Sequence, residues 1–311
     1  MRICVLYGGD SRERDVSISS GLSILNALKD HKNIFGYNFD GDYNALLNAI
    51  NGVDLVFNAL HGGDGENGTI QNFLNDNNIK FTGSNADSSK NSMDKHIAKT
   101  LCLENKILTP NWLYYKKNIG LVSLEVEILR FYNTDIVIKP SDEGSSIGLS
   151  IIENFDSKNK HKRKMLDESI SKCYKVSRNV IIEEYIDGRE LTVGILGNKI
   201  LPIVEIVPNN NYYDYECKYT KGKSNYIVPA KNISKTLELD IYNKAMQIYD
   251  LIGCRHYARI DFRLSKDNHP YFLEVNTLPG FTDTSLFPMA AKALGISYKN
   301  LLLKIIELAK K

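Results

Sequence analysis

Hydrophobic and polar positions along this chain switch repeatedly between a period of two and a period near 3.6. Ile3 to Tyr7 is a short apolar run that stops at Gly8-Gly9-Asp10-Ser11, and from Val16 onward Ile18, Leu22, Leu25 and Leu28 recur at helical spacing. Strand, glycine turn and helix is how an open α/β sheet begins. A strand near 34–39, a helix near 43–50, a strand over 53–60, a helix from Thr69 and a strand over 79–82 continue the alternation, so residues 1–84 are expected to form one parallel-sheet domain. A helix follows from Asp87 to about Asn105, and Pro110 opens a new segment. Strands at 135–138 and 149–152 form a hairpin. Further strands are expected at 180–185, from Glu190, and over 199–207, with helices over 237–252, 285–294 and 298–309. Between them, residues 208–230 form a long loop dense in tyrosine, including Tyr212, Tyr213, Tyr215 and Tyr219 around Lys218. Loops of that length inside a compact domain are usually lids or disordered. The aromatic content favours a lid, with a tyrosine-rich packing flap as the alternative.

The stretch that carries most chemistry is 255–286. Tyr257 to Leu264 alternates, with Ala258, Ile260, Phe262 and Leu264 on one face and Arg259, Asp261 and Arg263 on the other. Tyr271 to Asn276 alternates likewise, and strict alternation places Phe272, Glu274 and Asn276 together. Pairing about the Asp267-Asn268-Pro270 turn sets Asp261 opposite Glu274 and Arg259 opposite Asn276. Facing carboxylates weaken a sheet unless something uses them. One reading is a solvated face on which Arg259 and Arg263 dilute the repulsion. The other takes account of the turn Thr277-Leu278-Pro279-Gly280 that follows: its amides and the carboxylate and amide oxygens converge, and hard oxygen ligands suit magnesium, which is held by one or two carboxylates together with substrate phosphates.

Two glycine-rich segments bear on phosphates. Lys139-Pro140 through Ser145-Ser146-Ile147-Gly148 puts small residues at a hairpin tip and a lysine at its base, a pattern that lets amides approach a phosphate and that a flexible surface turn also satisfies. No GxxxxGK[ST] occurs, so an ordinary P-loop is excluded. A literal GxGxxG runs from Gly63 to Gly68 between a strand and a helix. Asp64 and Glu66, however, put negative charge where a pyrophosphate would sit, and no acidic residue ends the next strand, which disfavours a nicotinamide dehydrogenase.

With 311 residues the chain holds two or three domains, and 43% hydrophobic with 24% charged residues is ordinary for a folded protein. A net charge of +2 gives no general reason to bind nucleic acid or an anionic membrane. The basic run Lys158 to Lys164 has no aromatic interleaving and reads as a solvated helix face. The five cysteines are scattered and never paired at metal-ligand spacing, which fits a reducing compartment. The N-terminal run is too short for a signal peptide or a membrane span, so a cytoplasmic location is expected.

Seven segments in register then carry a resemblance. They are Gly8-Gly9 through Glu13-Arg14-Asp15-Val16-Ser17, the His61-Gly62 loop, Ser92-Met93-Asp94-Lys95, Lys139-Pro140 through Gly148, Tyr213 to Tyr219, Arg259-Ile260-Asp261, and Glu274-Val275-Asn276 through Leu286. Together the chain resembles the D-alanine–D-alanine ligases of the ATP-grasp superfamily. The resemblance implies a three-domain α/β ATP-grasp fold with an N-terminal open parallel-sheet (Rossmann-like) domain. The domains would span 1–84, 85–180 and 181–311, the last carrying the lid 208–230, and the assembly would be a homodimer. It implies ATP and two magnesium ions, manganese being an alternative, with Asp261, Glu274 and Asn276 as metal ligands. Lys95, Lys139 and the lid's Lys218 would bind phosphates beneath a flap of Ser145 and Ser146. Glu183, Glu184 and Ile186 would form the adenine hinge and Glu190 would accept the ribose. Glu13, with His61 nearby, would hold the first D-alanine. Arg259 and Gly280 would stabilise the oxyanion, and Ser285 and Leu286 would receive the second D-alanine's carboxylate.

The implied reaction is attack of a D-alanine carboxylate on the γ-phosphate, then displacement of phosphate by a second D-alanine's amine. Tyr219, tied to Ser145 and Glu13, implies the dipeptide rather than the D-lactate ester; a related ATP-grasp ligase using D-lactate or D-serine as second substrate is the alternative. Asp15, where the family often has glutamate, Glu184, at a commonly basic position, and a short 30–52 stretch depart from the pattern. A nucleotide sensor that has lost turnover is the reading from another class, and the presence of Asp261, Glu274, Asn276 and Arg259 speaks against it.

Overall fold

Three sheets follow one another along the chain in the computed structural model, which describes residues 1–117, 134–208 and 224–310. The first is parallel: β1 (Ile3–Gly8) lies between β2 (Ile34–Phe39) and β3 (Leu55–Asn58). The strand expected at 79–82 contributes only a parallel bridge from Phe81 to Val56 at the β3 edge. Alternate residues of β1 enter different cores. Ile3 and Val5 join one, Cys4 and Leu6 the other, so both faces are covered, as a parallel sheet requires. Helix α1 (Arg14–Ala27) closes the first face, while α2 (Tyr43–Ala49) and α3 (Thr69–Asp76) close the second.

The face of α1 that packs inward is only partly the one its leucines suggest: Leu28 is buried and Leu25 packs against the core, but Leu22 does not. Leu22 is 53% exposed, whereas Ser17, Ser20, Gly21, Ile24 and Leu28 are buried. The cause is close approach: a Cβ on Gly21 would sit 2.5 Å from the Tyr7 side chain, so only small residues fit against β1. The two serines gain hydrogen bonds in return. Ser17 Oγ accepts from Gly8 N at 2.9 Å and donates to Ala59 O at 2.8 Å. We expect Gly21→Val to overpack this contact and cost about 1–3 kcal/mol, read as a lower thermal midpoint; an unchanged midpoint would mean α1 slides without penalty.

The expected single helix over 87–105 is two helices, α4 (Ala86–Met93) and α5 (Lys95–Glu104), broken at Asp94 (φ −81°, ψ 101°). Asp94 Oδ1 caps α5 through His96 N at 2.9 Å and accepts from Ser141 Oγ at 2.6 Å, while Lys95 N donates to Ser141 O at 2.8 Å. The break ties the start of α5 to the base of the 141–148 loop.

The second sheet is antiparallel in the order β4 (Trp112–Lys116), β7 (Asn179–Glu184), β5 (Thr134–Pro140), β6 (Ser150–Phe155). Helix α6 (Lys160–Cys173) covers one face through Leu166, Ile170 and Cys173 and turns most of the basic run outward. The expected boundary at residue 180 falls inside β7, which pairs with β4 and β5 in this sheet.

The third sheet runs β11 (Ser224–Ile227), β10 (Val204–Pro208), β8 (Gly188–Leu196), β12 (Tyr257–Ser265), β13 (Pro270–Asn276), with β9 (Lys199–Ile200) paired to β8. Pro202, which lacks a backbone donor, lies where the expected 199–207 strand divides into β9 and β10. One face buries Leu191, Val193, Ala258, Ile260 and Phe262 against α5 and α7 (Lys235–Ile252). At one end of the opposite face, Tyr257 packs with α8 (Leu286–Ala293) and α9 (Tyr298–Lys310), joining this sheet to the N-terminal one. The rest of that face is polar and looks onto the second sheet.

Candidate active site

The β12–β13 register is the one expected, with Arg259 opposite Asn276 and Asp261 opposite Glu274. Strict alternation along β13 does not hold. The register shifts after Asp261, and Phe262 pairs with Phe272, so Leu273 is the extra residue of a bulge. The bulge lets Phe272 and Val275 both enter the core while Leu273 and Glu274 face the cleft. A regular strand would have forced Phe272 onto the polar face or Glu274 off it.

Two cavities open beside this hairpin. The first lies between the second and third sheets and is lined by Lys139, Ser146, Glu183 through Ile186, and Glu190 as well as by Asp261 and Glu274. The second is lined by Glu13, His61, Ser145, Arg259, Asn276, Gly280, Ser285 and Leu286. Lys95 and Glu274 line both, and their side chains approach to 3.4 Å. Lys95 Nζ also donates to Glu143 O at 2.7 Å, which anchors the loop above it. Of the expected site residues, only Lys218 and Tyr219 lie outside the described residues, with most of the 208–230 segment; the structure gathers the others around these two spaces.

In the first cavity, the segment from Tyr185 to Glu190 is organised by a residue that sequence reasoning treated only as charge dilution. Arg263 donates through Nε to Ile186 O (3.0 Å), through Nη1 to Glu190 Oε2 (3.1 Å) and through Nη2 to the Tyr185 hydroxyl (2.6 Å). Its position on the polar face of β12, across from Glu190 on β8, was the available signal. Glu184 turns its carboxylate to Asn111, accepting from N at 3.1 Å and Nδ2 at 3.3 Å. Ser145 and Ser146 both adopt left-handed backbone (φ 52° and 56°), a cost that the surrounding contacts of the loop must offset.

Asp261 is fixed by Arg259, whose Nε and Nη2 each reach one carboxylate oxygen at 2.9 Å, and by Thr192 Oγ1 at 2.5 Å. A carboxylate offers about four lone-pair sites, so capacity for an ion remains. Among the described residues no three His, Cys, Asp or Glu side chains converge as a ready-made metal cage. Two facing carboxylates, Asp261 and Glu274, at the edge of the cleft fit magnesium that takes its other oxygens from phosphate and water.

In the second cavity Glu13 is 7% exposed and accepts a short hydrogen bond from Ser145 Oγ, joining the first domain to the loop 141–148. Gly62 (φ 64°) makes this possible, because a Cβ there would lie 2.7 Å from Glu13 Oε2. His61 Nε2 lies 3.1 Å from Ser20 Oγ and its Nδ1 3.4 Å from Glu66 Oε1. Burial raises the Glu66 carboxyl above its ordinary range and Glu13 adds to this, while the His61 contact opposes it. Ser20 Oγ also accepts from Phe281 N at 3.2 Å, so α1 fixes the loop that carries Gly280. Glu66 thus has a role within the loop that contains the GxGxxG string, and that role has nothing to do with a dinucleotide. Ser285 stands at the N-cap of α8 and its Oγ meets Thr282 Oγ1 at 2.7 Å. No side chain caps that helix, and its first residues, Ser285 and Leu286, line the cavity.

Two sheets facing each other across a cleft, with a carboxylate-bearing hairpin at its inner edge, make this an ATP-grasp fold. Comparison with known proteins narrows the class. Residues 38–84 match the family described as D-ala D-ala ligase N-terminus and residues 116–307 the one described as D-ala D-ala ligase C-terminus. The D-alanine–D-alanine ligase of Aquifex aeolicus is 38% identical over 98% of this chain and 100% of its own length. That of Carboxydothermus hydrogenoformans is 38% identical over 99% and 98%. A crystal structure of the Bacillus anthracis D-alanine–D-alanine ligase superposes with a TM-score of 0.84 at 34% identity, covering 99% of this chain and 97% of that one. The chain belongs to the D-alanine–D-alanine ligase family.

Proposed function

We propose that this enzyme joins two D-alanine molecules into D-alanyl-D-alanine at the expense of ATP, for peptidoglycan precursor synthesis. The observation that carries the reading is that the nucleotide cleft and the amino-acid cavity meet at Lys95 and Glu274, so a phosphate at the end of one space adjoins a carboxylate at the end of the other. Glu183, Glu184 and Ile186 would take adenine and Glu190 the ribose, with Lys95, Lys139, Lys218, Ser145 and Ser146 on the phosphates. Asp261, Glu274 and Asn276 would hold magnesium, which when bound would neutralise charge developing on the transferred phosphoryl group. Glu13 and His61 would orient the first D-alanine so that its carboxylate oxygen attacks the γ-phosphorus and ADP leaves. Ser285, Leu286 and the open N-terminus of α8 would receive the carboxylate of the second, whose amine attacks the acyl carbon. Arg259 and the Gly280 amide would stabilise the tetrahedral oxyanion before phosphate departs. Water must be kept from the acyl phosphate, the role proposed for the lid at 208–230.

The three-part division at residues 84 and 180 belongs to the same proposal, with the second boundary carried past β7. So do a homodimer and a cytoplasmic location; no helix among the described residues is long and apolar enough to cross a membrane. Incubation with ATP, magnesium and D-alanine should yield ADP, phosphate and a dipeptide. Absence of ADP formation would overturn the reading. In an equimolar mixture of D-alanine and D-lactate near neutral pH, dipeptide should dominate, and Tyr219→Phe should shift the ratio toward ester, because deleting the hydroxyl leaves a polar network partly unsatisfied at about 1–3 kcal/mol. An unmoved ratio would remove Tyr219 from the selection of the second substrate.

A further inference from the structure

Beneath the nucleotide cleft lies a cation with no role so far. Lys99 is one helical turn beyond Lys95 on α5, and its side chain has no exposure at all. A buried ammonium is tolerated only with a partner. Its partner is Glu183: Lys99 Nζ donates to Oε2 at 2.8 Å, while Lys139 Nζ lies 2.5 Å from Oε1. One carboxylate therefore serves two lysines in unlike settings. Lys139 is 12% exposed and lines the cleft, whereas Lys99 is sealed behind Glu183 with the Trp112 ring 5.1 Å from its ammonium. Burial lowers the Lys99 ammonium to about 8, even against the pull of Glu183. Burial alone would raise the Glu183 carboxyl, yet Lys139 and Lys99 outweigh it and hold it below its ordinary value.

This arrangement matters once phosphate arrives. A lysine at the edge of the cleft exchanges one anion for another easily, provided the carboxylate it leaves is not stranded. We propose that Lys99 is a positioning residue for nucleotide binding: it is the permanent counter-ion of Glu183, and it frees Lys139 to move from Glu183 to the phosphates of the bound nucleotide. Without Lys99, Lys139 would be the sole counter-ion of a buried carboxylate and would be held there. The inference rests on the proposed nucleotide reading of this cleft, and Lys99 itself touches neither nucleotide nor amino acid.

A double-mutant cycle tests it, with equilibrium binding of ADP and magnesium as the readout and circular dichroism as the check on folding. Lys99→Met should weaken ADP about tenfold or more while leaving the KM for D-alanine unchanged. In a Glu183→Gln background, where no carboxylate needs a counter-ion, the same substitution should cost less than about twofold. Equal losses in both backgrounds would mean that Lys99 supports the fold rather than the charge balance, and would overturn the proposal. Should Lys99→Met fail to fold, a structure of the unmodified enzyme with magnesium and a non-hydrolysable ATP analogue decides the matter. The Lys99 contact to Glu183 should persist and Lys139 should have transferred to phosphate; a Lys139 still seated on Glu183 would overturn the proposal. Failure of the unmodified enzyme to bind ADP is a separate result that sinks the nucleotide reading itself.

Discussion

Glu274→Gln is expected to leave the fold intact and to remove most turnover, with kcat falling about a hundredfold or more. Glu274 sits on the polar side of a bulged strand, directly opposite Asp261, and its side chain contributes nothing to the apolar core that Phe272 and Val275 complete. The amide is close to isosteric, so packing is kept. What is lost is the formal charge that the proposed reading sets against the phosphates and a hard cation, whose charge stabilisation would be worth several kcal/mol. Lys95, 3.4 Å away, would also lose its carboxylate partner and keep the Glu143 carbonyl. Steady-state kinetics across a magnesium titration, with thermal unfolding as control, is the test. A variant that recovers full kcat at saturating magnesium would reduce Glu274 to a structural partner of Lys95.

The fate of Glu274 illustrates what was legible in the sequence. Period-two alternation located the hairpin and its register, because one face had to bury Ile260 and Phe262 and the turn residues fixed the centre. The bulge at Leu273 was not legible, since it arises from a demand of the tertiary core for Phe272. The same limit applies to α1. Leu25 and Leu28 pack inward as their spacing suggested, but the contact with Tyr7 turned the face toward Ser17, Ser20 and Gly21 and left Leu22 outside. Spacing also could not foresee the break at Asp94, which depends on Ser141 arriving from another sheet. The ATP-grasp architecture and the family assignment came through because seven short motifs lie in order along nearly the whole chain, and the matches to known ligases bear them out. Residues that act by holding other residues, such as Arg263 on Ile186 and Lys99 on Glu183, carry no local pattern and emerge only from distances.

Glu13→Gln should produce the second large effect, and it should fall on one substrate. Glu13 follows the β1 turn at the start of α1, nearly buried, with Ser145 of the loop 141–148 on one carboxylate oxygen and the glycines Gly62 and Gly144 packed near the other. Both glycines leave room for a carboxylate that a larger neighbour would displace. An ammonium in the second cavity would find this charge at hydrogen-bonding reach, and hydrogen bonds to charged groups are worth about 1.5–3 kcal/mol. Removing the charge while keeping the shape should therefore raise the KM for the first D-alanine about 10- to 100-fold. The KM for ATP should stay within about twofold, because Glu13 does not line the nucleotide cleft. Ser145 keeps an acceptor in the amide oxygen, so the loop should still close and the thermal midpoint should move little. Initial-rate measurements with each substrate varied against a saturating other separate these effects. Equal increases in both KM values would trace the loss to a displaced loop at 141–148, and an unchanged KM for D-alanine would remove Glu13 from the amino-acid site.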